Sequence, residues 1–239
     1  MELVLQVLQG GAARLDLSRR GLTDDDLAAL LERPEIARVG ELDLGDNDLT
    51  DAAVARLARC ERLLELTSLD LWANDLTPVA ARLLAESPRL PRLRALTVGR
   101  NALGDEGVAA LAGSAGLDTL ESLDLSHSEV TAVGRDALLR SPHVGRVRAL
   151  VVRGWPFDAS AVAALTSSRA WPALEELDFS DNDLGPDAIT DDDVEALIRA
   201  ERLPRLRRVV VLPPRIWGSA GEVDVAEWRA RLGATSPGT

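Results

Sequence analysis

The stretch LTSLDLWANDL, residues 66–76, returns along the chain at a fixed interval. Its frame reappears as VGELDLGDNDL from Val39, LRALTVGRNAL from Leu93 and LESLDLSHSEV from Leu120. It returns again as VRALVVRGWPF from Val147 and LEELDFSDNDL from Leu174, with a poorer copy, AARLDLSRRGL, from Ala12. The starts at 12, 39, 66, 93, 120, 147 and 174 are all 27 apart, and an eighth frame, LRRVVVLPPRI, follows 32 later at Leu206. Units of this length cannot bury an apolar face alone, so stacked neighbours must share one continuous core.

Each unit reads physically. The L-x-L centre alternates with period two, as a short strand with one buried face does. A helical pattern follows, for example LTDDDLAALLER or LTPVAARLLAES. Thr23, Thr50, Thr77 and Thr131 are expected N-caps, and Pro78 stands where a first-turn proline loses no hydrogen bond. A leucine recurs eighteen residues after each start, from Leu30 to Leu165, but in the seventh unit its counterpart Leu197 is five late. That places a five-residue insertion within GPDAITDDDV, 185–194. Cys60 aligns with Ser87, Ser114, Ser141 and Ser168, a column that asks for a small side chain. Asn47, Asn74, Asn101 and Asn182 share one turn position, where an amide satisfies orphaned backbone groups. Arg20, Ser128, Trp155 and Pro214 replace them elsewhere, so that ladder is expected to break at the ends and in units five and six.

The pattern L-x-x-L-x-L-x-x-N-x-L resembles the leucine-rich repeat, and NALGDEGVAAL (101–111) is similar to its ribonuclease-inhibitor-like class. The resemblance covers residues 12–216. It implies an α/β solenoid, a horseshoe with a parallel sheet on the concave face and helices on the convex face, and a role in protein recognition. Residues 1–11, with Leu3, Val7 and Leu8, are expected to cap the first unit; 217–233 to form a cap helix with Trp228 and Leu232 inward; 234–239 to be a disordered tail.

Composition narrows the partners. The net charge is −12 and all 27 basic residues are arginine, so a basic protein suits the chain better than nucleic acid or an anionic membrane. The N-terminal apolar run is too short for a membrane span and lacks a basic cluster. The single cysteine excludes an intrachain disulfide and a cysteine-based zinc site. A cytoplasmic monomer is expected, without cofactor or metal.

Strand alternation then assigns a face. With Leu69 and Leu71 inward, Asp70 and Trp72 point onto the open sheet. The column of Asp70 reads Asp16, Asp43, Asp70, Thr97, Asp124, Val151, Asp178 and Val210. It is either a habitual filler of this repeat or an acidic groove for a basic partner. The column of Trp72 reads Ser18, Gly45, Trp72, Gly99, Ser126, Arg153, Ser180 and Leu212. Small residues dominate it, so Trp72 and Arg153 are expected to protrude; the alternative is an indole folded flat over its glycine neighbours. Arg100, His127 and Trp155 lie just past the strands and complete a candidate contact patch, although Trp155 alternatively packs between coils.

Enzymatic signals are weak. DLSHS (124–128) gathers Asp124, Ser126 and His127, but an open sheet offers no water-excluding pocket for a nucleophilic triad. GDND (45–48) and SDND (180–183) lack the ligand spacing of a calcium loop. No phosphate-binding loop is possible without lysine. The reading is a non-enzymatic module that grips a basic protein or peptide, in the manner of an inhibitor or immunity protein. The alternatives are a regulator of a small GTPase, acting through Arg100 or Arg153, and a scaffold that uses its helical outside.

Overall fold

The computed structural model describes residues 14–87, 89–182, 189–211 and 222–225. Eight parallel strands follow in chain order: β1 Arg14–Asp16, β2 Glu41–Asp43, β3 Ser68–Asp70, β4 Ala95–Thr97, β5 Ser122–Asp124, β6 Ala149–Val151, β7 Glu176–Asp178 and β8 Arg208–Val210. Equivalent residues pair without slippage, so Leu15, Leu42, Leu69, Leu96, Leu123, Leu150, Leu177 and Val209 form one buried row. A ninth strand, β9 Glu222–Asp224, pairs antiparallel with β8. The sheet lines the concave face of an α/β solenoid and the helices form its convex face.

The helices are α1 Asp24–Leu31, α2 Asp51–Leu57, α3 Pro78–Ala85, α4 Gly104–Ala112, α5 Ala132–Leu139, α6 Ala159–Ser167 and α7 Asp191–Arg199. Two 3-10 turns, Pro34–Arg38 and Ala115–Thr119, lead back toward the sheet. Among the described residues no helix is long and apolar enough to cross a membrane.

Neighbouring coils are stitched at the helix starts. Thr23, Thr50, Thr77 and Thr131 each accept a backbone N–H as N-caps. Thr50 in turn donates its N–H and hydroxyl to Asp24 of the preceding helix (2.9 and 2.6 Å), and Thr131 does the same to Asp105 (2.8 and 2.6 Å). Burial pushes the Asp105 carboxyl up, but the donors from Thr131 and Gly134 outweigh it and hold the group below the usual range. Where Pro78 replaces the aspartate, this acceptor is lost. The next unit accordingly carries Gly104, with φ +57°, in place of a threonine, and α4 starts without a side-chain cap. The serine column forms a second seam, with Ser87, Ser114 and Ser141 donating to carbonyls of the preceding coil. Cys60 stands in that column, half-buried.

The seventh unit resumes its frame at Thr190, which caps α7 in a reciprocal box with Asp193; of the insertion at 185–194, residues 185–188 lie outside the described part. So do Leu3, Val7, Leu8, Trp228, Leu232 and the tail 234–239. Of the cap helix expected over 217–233 only residues 222–225 are described: Glu222–Asp224 pairs with β8 as a strand, which corrects that stretch, and Val225 is helical.

Candidate functional site

The turn that ends each strand builds the site. Arg19, Asp46, Ala73, Arg100, His127, Gly154 and Asp181 all have φ between +50° and +70°. Six of these seven are not glycine, each at a cost of about 1 kcal/mol. The bend aims each N–H at the next coil: Asp46 donates to Trp72 O (2.7 Å), Arg100 to Ser126 O (2.7 Å) and His127 to Arg153 O (2.8 Å). One residue later the asparagine amides cross the coils. Asn47, Asn74 and Asn101 donate to Leu17 O, Leu44 O and Leu71 O at 3.1, 3.0 and 2.9 Å.

Trp155 belongs to this ladder and not to the surface. Its Nε1 donates to Leu125 O at 2.9 Å, thirty residues back, the separation that the asparagines span. It is 2% exposed, and the stacked Phe157 and Phe179 rings, 4.6 Å apart, belong to the same core. The expectation of Trp155 as a contact residue is therefore corrected, as is the expected break in unit six. Indole N–H replaces amide N–H, and the larger ring fills the coil interior. In unit five Ser128 is too short to cross and bonds within its own turn, to Leu125 O at 2.7 Å.

The aspartate column has a local structural duty. Oδ1 of Asp16, Asp43, Asp70, Asp124 and Asp178 accepts the N–H two residues on, at 2.8 to 3.1 Å. Aspartate makes this bond readily at strand ends and turns. Val151 cannot, and there the Arg153 N–H is taken up by the Ser126 hydroxyl of the preceding coil at 3.2 Å. The second oxygens separate the column into two groups. Asp178 Oδ2 is gripped by the Arg153 fork, with Nε at 2.8 Å and Nη2 at 2.7 Å, and the side chain is buried. Asp178 thus offers no free charge to a partner, and Arg153, though half-exposed, is committed to it. Asp178 is thereby corrected from a surface contact to the buried partner of an internal ion pair, while Arg153 remains exposed beside it.

Asp16, Asp43, Asp70 and Asp124 have no such cation on Oδ2 among the described residues. Asp16 is exposed, and the Ser18 hydroxyl and N–H hold its carboxyl below the usual range, helped by nearby Arg14 and Arg20. Asp70 goes the other way: burial pushes its carboxyl up, Asp43, Asp124 and Asp16 add to the rise, and the Trp72 N–H only partly opposes it. Asp43 and Asp70 are directly paired across the sheet. Adjacent strands lie ~4.8 Å apart, so two like charges face each other there.

Trp72 is half-buried. A methyl group built on Gly99 would come within 2.5 Å of its Cζ3, so the indole lies over that glycine. One edge meets His127, with ring centroids 6.2 Å apart at 80°. His127 itself lies over Gly154 and sets Nε2 3.8 Å from Asp181 Oδ2. The two rings therefore lean the same way along the solenoid axis, each bedded on a glycine of the following unit. The indole ring covers Gly99, while Gly45, also buried, lies beneath the Asp43 and Asp70 carboxylates and the Trp72 Cβ. Arg100 is exposed, and of the two arginines considered for a GTPase-regulating role it alone has no ion pair among the described residues. The DLSHS cluster does not assemble as a triad: the Ser126 hydroxyl is spent on Arg153 N–H, and no hydrogen bond joins it to His127 among the described residues.

One column escaped the sequence reading. At the lead-in to each strand, Arg94, Glu121, Arg148, Glu175 and Arg207 alternate in charge and pair from coil to coil: Arg94 with Glu121, Arg148 with Glu121 (4.0 Å) and Glu175 (2.7 Å), and Arg207 with Glu175. Glu175 is nearly buried between two arginines. Reading that position down the repeats shows the alternation directly.

The leucine-rich repeat family matches residues 41–58, 91–112, 117–139 and 172–190. No curated protein matches the chain. Among solved structures, internalin C2 from Listeria monocytogenes is 20% identical, over 86% of this chain and 82% of that one, with a TM-score of 0.47. Internalin F from the same organism is 21% identical, over 56% of this chain and 35% of that one, with a TM-score of 0.38. The family's matches fall in the second, fourth, fifth and seventh units of the 27-residue frame, on strands that stack in a single sheet, so these four units carry leucine-rich repeats in an α/β solenoid.

Proposed function

We propose that this repeat array is a protein-interaction module, not an enzyme, whose concave face binds a basic protein or peptide. The observation that carries this reading is the row Asp16, Asp43 and Asp70, with no cation on the second oxygens among the described residues, beside the half-exposed Trp72. Carboxylates that serve only the local turn need one oxygen; two adjacent, uncompensated charges destabilise the free protein and favour a cationic partner. The indole adds an aromatic anchor of the kind that carries binding energy. An inhibitor or immunity-like role toward a cationic protein follows from this chemistry, and the helix in each of the first seven units is in keeping with the ribonuclease-inhibitor-like class. A cytoplasmic, monomeric protein is part of the same reading.

Affinity capture from the native cell with the wild type and with Asp70→Ala/Trp72→Ala tests it. The partner should be basic, released by moderate salt and absent from the double variant. Undiminished capture by that variant would reject the concave face as the binding surface.

A further inference from the structure

On the convex face, α1 and α2 are tied at their starts by Thr50 and Asp24, yet a cleft of about 660 Å³ opens between them. Two contacts that close later coils are missing here. Gly107 and Gly134 let α4 press on α3 and α5 on α4: a methyl group on Gly107 would stand 3.2 Å from Ala81 Cβ, and one on Gly134 2.6 Å from Asp105 Oδ1. In α2 that position holds Ala53. The serine seam is absent as well. Ser87, Ser114 and Ser141 each donate to a carbonyl 29 residues back, but Cys60 makes no such bond among the described residues. The carbonyl left over, Leu31 O, accepts instead from Arg62 Nη1 at 3.2 Å, which holds that guanidinium at the cleft.

The cleft joins an apolar floor, with Ala28, Ala55 and Leu31, to three arginines, Arg56, Arg59 and Arg62. None of the three is gripped by a carboxylate. Arg56 lies 3.7 Å from Asp25 and Arg62 3.7 Å from Glu32, both beyond hydrogen-bond reach, and Arg59 has no ion pair among the described residues. Exposed pairs of this kind hold a side chain weakly. Of the acidic residues on the rim, Glu61 is taken by Arg89 at 3.1 Å, which leaves Glu32. Glu32 and the carbonyl ends of α1 and α2, about half a charge each, do not cancel three guanidiniums. In a chain of net charge −12 this cleft is locally cationic.

We propose that this cleft binds a small organic anion, with a carboxylate or phosphate head on Arg56 and Arg59 and an apolar body on the alanine floor. Its volume falls in the range of small-molecule sites, roughly 300–1,000 Å³. Guanidinium forks match the oxygens of either head, and Arg56 and Arg59, three residues apart at the end of α2, suit one head between them. The site lies on the helical side of the solenoid and stands independently of the concave-face reading.

Octanoate and octyl phosphate, below their micelle concentrations, are the probes, added to the whole chain and followed by methyl chemical shifts. Binding should move the Ala28 and Ala55 methyls and slow the labelling of Cys60, the only cysteine, by iodoacetamide. Arg56→Ala/Arg59→Ala alters exposed side chains only and should weaken binding at least tenfold. Ala55→Leu keeps the arginines, fills the floor and should weaken it to a similar extent. Octylammonium and octanol, with the same chain and no anionic head, should bind at least tenfold more weakly. The tighter of the two probes identifies the head as carboxylate or phosphate. Wild-type affinity in the arginine variant, equal affinity for octylammonium, or no shift at Ala28 and Ala55 with either probe would overturn the proposal.

Discussion

Asp70 and Asp178 occupy one column of one sheet, and each gives Oδ1 to the N–H two residues on. Their second oxygens differ. Around Asp178 the chain supplies Arg153, and the region from unit five to unit seven closes on itself with Trp155, Phe157 and Phe179 packed beneath. Around Asp70 it supplies Asp43 and a glycine. Repetition therefore fixes what each position does for the fold, while the neighbour one coil away decides whether a charge is spent internally or left for another molecule. Unit seven spends its column charge internally on Arg153 of unit six; among the described residues units one, two, three and five do not.

The largest effect separates the two tryptophans. Trp155→Ala should cost about 3–5 kcal/mol, because it empties a fully buried site and removes one of the two side-chain donors to Leu125 O, leaving only the Ser128 hydroxyl. Trp72→Ala, at a half-buried site on the concave face, should cost no more than about 1 kcal/mol. Urea denaturation of both variants checks this; equal losses would erase the distinction drawn here. Next in size is Arg153→Ala, which leaves Asp178 buried without its counter-charge and should cost about 1–2 kcal/mol. Adding Asp178→Asn should recover most of that loss, and a double-mutant cycle measures the coupling.

Asp70→Asn should act in the opposite direction and raise stability at neutral pH by up to about 1 kcal/mol, since it removes a like-charge pair and keeps the turn acceptor. The sign follows from linkage. Asp70 has its carboxyl raised in the folded state, so its contribution is fully present below the unfolded pKa and is lost as pH rises through the folded value. The asparagine variant should show that part of the pH dependence flattened in melting curves across the acid range; an unchanged profile would contradict the assignment. The smallest effect belongs to Ala73→Gly, which relieves an alanine at φ 50° and should stabilise by about 0.5–1 kcal/mol.

Most of the fold was legible because a 27-residue period binds every column at once. The strand row, the threonine caps and the asparagine turns can be read off single positions repeated down the chain. What was not legible lies between columns. Trp155 stands in an asparagine position, and a one-dimensional reading has no means of showing that Nε1 reaches the same carbonyl as an amide. The Arg153–Asp178 pair joins two different columns of successive units, so neither residue announces the other. Gly45 and Gly99 look equivalent in sequence, yet the indole lies over only one of them. The alternating arginine–glutamate column was open to inspection, since it needs only one position to be read down the repeats. Pro78 and Gly104 likewise form a matched departure, the lost acceptor in one unit and the lost threonine in the next.

The carboxyl carbon of Asp70, titrated by NMR with and without an octa-arginine peptide as the basic partner, tests the central claim most directly. Alone, Asp70 should titrate above the ordinary aspartate range; with the peptide bound, its midpoint should fall. A midpoint at or below the ordinary range in the free protein, or one that the peptide leaves unmoved, would contradict an uncompensated row of carboxylates on the concave face that waits for a cation.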